Sequence, residues 1–163
     1  MGDFLSLVFS GANLALLGAF LAVGLAGWGS AKGVGQAACA ANGFLSENPE
    51  MFGKMFVLEA LPATQGIYGF VVSFMILLKI GAIGGGDLGA VTPEEGGYLL
   101  VSALPIALVG LISAQYQSKA AVSGIHLLAK QKDRLGNAIT NAALVETYAI
   151  LALLISMLLI FNY

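Results

Sequence analysis

Charge is what this sequence has least of. Only 10% of its 163 residues are Asp, Glu, Lys or Arg, against about 25% in an ordinary soluble domain. Apolar residues make up 58%, and a chain so composed cannot cover a surface that faces water. It also lacks a basic head ahead of its first apolar run, which begins MGDFLSLVFSG with the acidic Asp3, so no cleaved secretory signal is expected. Met1 and Gly2 followed by Ser6 fit the loose myristoylation pattern, for which chance is the better explanation. Cysteine occurs once, at Cys39, which excludes a disulfide framework and a Cys-based metal site. The net charge of -2 carries little information, and no nucleic-acid partner is expected.

Long hydrophobic runs are what the chain does have. About 20 apolar residues cross a hydrocarbon layer as a helix, and residues 7–28, 55–78, 98–114 and 138–161 satisfy this with few interruptions. The expectation is an all-α membrane protein with four spans. Its linkers differ in kind. Lys130, Gln131, Lys132, Asp133 and Arg134 form a basic one, whereas the stretch from Gly84, Gly85, Gly86 and Asp87 to Glu94 and Glu95 is glycine-rich and acidic. The positive-inside rule puts the first in the cytoplasm and the second outside, with both termini outside. The other turn on the cytoplasmic side, around Ser46, Glu47, Asn48, Pro49 and Glu50, is weakly acidic and is placed there by connectivity alone.

An internal duplication organises the chain. Shifting it by 83 residues superposes Gly27 on Gly110, Ser30 on Ser113, Leu61 on Leu144, Thr64 on Thr147, Ile67 on Ile150 and Ser73 on Ser156. Two helical hairpins therefore follow one another, residues 1–80 and 96–163, joined by an extracytoplasmic linker over 81–95. An even number of crossings separates them, so they are parallel repeats, unlike the inverted repeats of many secondary transporters. The copies differ at one telling place: Glu146 lies inside the apolar run of the second, and its counterpart in the first is Ala63.

The first span carries Gly24, Gly27, Gly29, Gly33 and Gly35, then Ala37, Ala38, Ala40 and Ala41. Small residues let helix backbones approach closely in lipid. A phosphate-binding loop is the functional alternative, and it fails because neither glycine-rich phosphate motif is present.

An ionisable side chain in a membrane span is costly and normally marks an ion or proton pathway. In the second span, Leu61, Thr64, Gln65 and Tyr68 share one face by helical spacing. Gln117 on the third span and Glu146 on the fourth can join them. Counted from the nearest cytoplasmic turn, Thr64, Gln65, Gln117 and Glu146 each lie about 12 residues into their helix, roughly 18 Å deep. One carboxylate, one hydroxyl, two amide oxygens and a backbone carbonyl suit a small hard cation such as sodium, which prefers oxygen ligands. Pro62 lacks the N–H that would bond the Leu58 carbonyl and distorts the local turn. Proton binding is the competing chemistry at the same carboxylate. The neutral oxygens favour sodium, because a proton needs only the carboxyl group and an acceptor.

The segments LPATQGIYGF, ALPIALVG and ALVETYAI, with the SAKGVG run in the first span, closely resemble the rotor-ring proteolipid (K subunit) family of bacterial V-type sodium-transporting ATPases. The resemblance covers nearly the whole chain. It implies a homo-oligomeric ring in the bacterial plasma membrane, attached to a central-stalk subunit, turned by an ATP-hydrolysing head and carrying ions past a stator subunit. Position by position, it places the sodium ligands at the Leu61 carbonyl, the side chains of Thr64, Gln65 and Gln117, and the Glu146 carboxylate. Tyr68 matches the tyrosine that latches the site. The arginine that loosens the ion belongs to the stator, in keeping with a chain whose sole arginine, Arg134, lies in a loop. No catalytic site of its own and no nucleotide site are expected.

Other residues have plainer expectations. Glu59, a second intramembrane acid, pairs with Ala142 across the duplication and is read as structural or proton-bound rather than as a second transport site. Lys32 lies at a depth similar to the site with no firm role. Lys54 and Lys119 are expected to snorkel, and His126 to mark a span boundary. Two rival functions remain open on the sequence, a small proton-coupled exchanger and a structural or channel-forming proteolipid. The exchanger would want an aromatic-lined cavity, and only Tyr68 and Tyr148 fall near Glu146.

Overall fold

The computed structural model describes residues 9–162. Met1, Gly2, Asp3 and Ser6, on which the signal and myristoylation readings rest, lie outside the described residues, as does Tyr163. All regular structure among the described residues is helical. The first span is α1 (Gly11–Leu45). The second is α2 (Phe52–Ala60) and α3 (Thr64–Lys79), joined by a 3-10 turn at Leu61–Ala63. The third is α4 (Pro93–Lys130) and the fourth α5 (Leu135–Asn162). Four helical stretches, Gly11–Leu45, Pro49–Lys79, Pro93–Lys130 and Leu135–Asn162, are long and apolar enough to cross a membrane.

The helices outrun the apolar stretches from which the spans are read. The run ending at Trp28 continues as helix to Leu45, because its remainder is rich in alanine, the best helix former. The run ending at Ala114 continues through Gln117, Ser118 and Lys119 to Lys130. Polarity at 115–119 lowers the hydropathy without lowering helix propensity. Local caps set several starts. The Ser10 hydroxyl accepts from the Asn13 N–H, and the Thr92 hydroxyl accepts from the Glu95 N–H ahead of Pro93, each satisfying a donor that the helix itself leaves unpaired.

α1 packs most extensively on α4, and the second and fourth spans lie against this pair while touching each other less. The small residues explain the central pairing. A methyl group added at Gly29 would stand 2.8 Å from the Cα of Leu111, and one at Gly110 would stand 2.8 Å from the Cβ of Ala26. Gly18 faces Leu100, Gly29 faces Leu111 and Gly33 faces Ala114, so the partner number rises along both helices and they run parallel. The second and fourth spans are parallel too: Tyr68 reaches Glu146, and the Lys79 Nζ donates to the Ile160 carbonyl at 2.7 Å.

The two hairpin turns sit at one end, where Lys132 ties them together. Its Nζ donates to Asn48 Oδ1 at 2.7 Å and meets Glu50 Oε1 at 3.1 Å. Lys54 donates to the Lys132 carbonyl at 2.7 Å at this same end. The hairpins are linked at the other end through Gly81, Gly84 and Gly85, whose positive φ angles of 74°, 108° and 83° are favourable only without a side chain. Large apolar side chains such as Phe20, Phe70, Leu154 and Phe161 are exposed along the outside, as an integral membrane protein requires.

Candidate ion site

Pro62 shapes the site first. Its ring cannot continue the second span as a regular α-helix, and the chain tightens into the 3-10 turn Leu61–Ala63. Pro62 is buried, with Gly33 of α1 providing the room: a methyl there would stand 2.8 Å from the proline Cβ. The turn gives the Leu61 carbonyl two donors. It accepts from the Thr64 backbone N–H and, at 3.0 Å, from the Thr64 hydroxyl. The distortion thus engages the Leu61 oxygen locally.

Beyond the turn, hydrogen bonds run through all six residues singled out in the sequence. Thr64 Oγ1 donates to Gln65 Oε1 at 3.4 Å, an alternative to its bond to Leu61. Gln65 Nε2 donates to Gln117 Oε1 at 2.5 Å, and Gln117 Nε2 donates to Glu146 Oε2 at 3.3 Å. The Tyr68 hydroxyl donates to Glu146 Oε1 at 2.5 Å. The path starts on the second span, crosses to α4, passes to α5 and returns to the second span. Gln65 and Gln117 are both fully buried, whereas Thr64, Tyr68 and Glu146 are partly exposed. Oxygens with lone pairs to spare line this path. A hydroxyl retains acceptor capacity after donating, and a carboxylate has about four acceptor positions, of which two are used here.

Serines, which carry little weight in the sequence, hold this region in place. The Ser30 hydroxyl of α1 accepts from the Gly66 N–H at 2.8 Å, fixing the second span beside Gln65. Ser118, next to Gln117, donates to the Gly33 carbonyl at 2.8 Å. Ser156 on α5 accepts from the Ile106 N–H at 3.3 Å, one residue beyond Pro105 inside α4. The repeat is the one sequence signal for two of them, pairing Ser30 with Ser113 and Ser73 with Ser156.

The remaining polar residues stay outside the network. Glu59 Oε1 is buried with no hydrogen-bond partner. Lys32 is exposed in an open α1–α4 groove that also holds Gln36, Cys39 and Lys119. The Lys119 ammonium rests 4.6 Å from the Tyr116 ring centre, a cation–π contact rather than a free tail. His126 is exposed near the end of α4.

A family model for the ATP synthase C subunit matches residues 17–76 and again residues 100–159, in the register of the internal repeat. The chain is 42% identical over 162 residues to the V-type sodium ATPase subunit K of Enterococcus hirae, with 99% of each chain covered. It is 38% identical over 147 residues to the A-type ATP synthase subunit K of Methanocaldococcus jannaschii, covering 90% of this chain and 61% of that one.

Proposed function

Because the chain belongs to the ATP synthase C-subunit family, we propose that it is the ion-carrying rotor subunit of a V-type ATPase and that its cargo is Na+. It is a non-catalytic subunit, and ATP is hydrolysed elsewhere in the complex. The ion sits among the Leu61 carbonyl, Thr64, Gln65, Gln117 and Glu146, with Tyr68 as the latch. The observation that carries this reading is the hydrogen-bonded path from Thr64 through Gln65, Gln117 and Glu146 to Tyr68, with the Leu61 carbonyl tied to Thr64 through its backbone N–H. A relative of nearly equal length is a sodium ATPase subunit.

The residues divide the work. The Glu146 carboxylate cancels the single charge of the ion, so the loaded site is neutral and can face lipid at a cost that a bare carboxylate would greatly exceed. Gln65 and Gln117, fully buried, present amide oxygens held by packing. The Leu61 oxygen becomes a ligand when the Thr64 hydroxyl turns its proton away. The Tyr68 hydroxyl holds Glu146 towards the second span, and release requires a positive group from a stator subunit to draw the carboxylate off. Identical copies form a ring, the end bearing Lys132 faces the cytoplasm and the central stalk, and both chain termini lie outside.

Equilibrium binding of sodium-22 to the purified assembly, titrated against pH, tests this. Na+ needs the ionised carboxylate, so binding should weaken as pH falls. Binding that is absent at alkaline pH would leave a proton as the cargo of the same carboxylate.

A further inference from the structure

None of the proposed ligands lies on α1, yet α1 is tied to the residue next to each buried glutamine. α3 begins at Thr64, and no side chain of the preceding Ala63 caps it. The Gly66 N–H is therefore one of the first-turn donors that a helix leaves unpaired. The Ser30 hydroxyl of α1 accepts from it at 2.8 Å, doing from a neighbouring helix what a capping residue ordinarily does from the same chain segment. The approach is close, and a methyl at Gly66 would stand 3.2 Å from the Ser30 Cβ. On the other side, the Ser118 hydroxyl donates to the Gly33 carbonyl at 2.8 Å, with Gln36 Oε1 as an alternative acceptor at 3.3 Å. Gly66 follows Gln65 and Ser118 follows Gln117. Ser30 and Gly33 share one turn of α1, about 4.5 Å apart along its axis.

The internal repeat shows that these two ties accompany the site. At the offset of 83 residues, Gln65 and Gln117 have the counterparts Tyr148 and Val34, just as Glu146 has Ala63. In those same places Gly66 becomes Ala149 and Ser118 becomes Gly35. Ser30 keeps its hydroxyl as Ser113, but that hydroxyl turns onto its own helix, donating to the Gly110 carbonyl at 3.4 Å. Helix packing alone does not call for the ties, because the positions without a carboxylate pack without either of them.

Resting on the cation-site reading above, we infer that Ser30 and Ser118 are positioning residues: they fasten the residues next to Gln65 and Gln117 to a single turn of α1, and so set the gap between the two amide oxygens offered to the ion. Gln65 and Gln117 are fully buried and bonded to each other at 2.5 Å, so the spacing of the amides follows the spacing of their backbones. Pro62 seated against Gly33 adds a third contact to the same turn of α1. Preference among cations depends on the size of the cavity and on the field strength of its oxygens. A gap fixed from α1 favours the ion that it fits, whereas one free to widen also takes a larger ion.

Sodium-22 binding to the purified assembly, with unlabelled K+ as competitor, tests this in Ser30→Ala and Ser118→Ala. Each should bind Na+ about 3- to 10-fold more weakly, in keeping with the net worth of one hydrogen bond, and should lose about 3-fold or more of its preference for Na+ over K+. Ser113→Ala removes a hydroxyl bonded within its own helix and should match the wild type in both respects. Native mass and thermal unfolding of the same samples report assembly and stability independently. Assembled variants with wild-type affinity and preference overturn the inference. Variants that unfold earlier while their preference is unchanged overturn it too, since they show a packing role alone. Where an alanine variant does not assemble, Ser30→Cys or Ser118→Cys, similar in size but with a weak sulfur donor and acceptor, is judged by the same outcomes. Wild-type assemblies that bind no sodium-22 at alkaline pH overturn the sodium reading and this inference with it.

Discussion

The Tyr68 hydroxyl and the Glu146 carboxylate, on parallel spans, meet at 2.5 Å. The other carboxylate oxygen takes the Gln117 amide at 3.3 Å, so each oxygen of Glu146 has one neutral donor, and among the described residues no lysine or arginine pairs with either. A carboxylate gathered by neutral donors keeps its full charge available for a cation.

Replacing Tyr68 with Phe removes one of these donors and little volume. A hydrogen bond to a charged group contributes about 1.5–3 kcal/mol, so sodium should leave the site about 10- to 100-fold faster while the ring assembles normally. Sodium-22 release after dilution measures this, and an unchanged release rate would show that Tyr68 does not latch the site.

A carbodiimide should modify Glu146, because the reagent partitions into lipid and attacks partly exposed carboxyl groups. Sodium should slow that modification and potassium at equal concentration should not. Peptide mapping by mass spectrometry locates the product; modification indifferent to sodium at alkaline pH would remove Na+ as the cargo.

Glu146→Gln keeps the shape of the side chain and removes its charge. Sodium binding should fall by at least about 100-fold, in line with the large penalty for an uncompensated cation in a low-dielectric setting, with the oligomer unchanged in mass. Retained binding would point to the wrong carboxylate, and Glu59 would become the next to test.

Gly33→Ala should destabilise the fold by about 1–3 kcal/mol, a cost typical of overpacking, since the added methyl meets the Pro62 Cβ at 2.8 Å and the Ala114 carbonyl oxygen at 3.0 Å. Gly43→Ala provides the contrast. Nothing lies within 4 Å of its added methyl, and a helical glycine replaced by alanine gains about 0.5–1 kcal/mol. Thermal unfolding in detergent should separate the two.

Much of the fold is written in the sequence as two superposed patterns. The apolar runs announce four spans, and the repeat makes the hairpins parallel. The six site residues can be grouped because they share a depth, which counting along a helix reveals. Their convergence cannot be read, since it depends on how far each helix is rotated. The occupied Leu61 carbonyl is hidden too, because Pro62 shows that a turn is distorted but not which donors fill it. Ser30 and Ser118 look like further small packing residues until their hydroxyls are seen on backbone groups of neighbouring spans. Lys132 resembles an ordinary loop charge and Lys54 a snorkelling one, and only the closeness of two turns distant in sequence makes them a clasp.

Ala63 has a thermodynamic consequence for a rotor built from these chains. A turn driven by a fixed number of ATP molecules supplies a fixed free energy, shared among the ions that the turn moves. With one carboxylate to four spans instead of one to two, a ring of given helix number moves half as many ions, and each receives twice the free energy. Because work against a gradient grows with the logarithm of the concentration ratio, doubling the energy per ion squares the steepest ratio that the motor can hold in the absence of a membrane voltage.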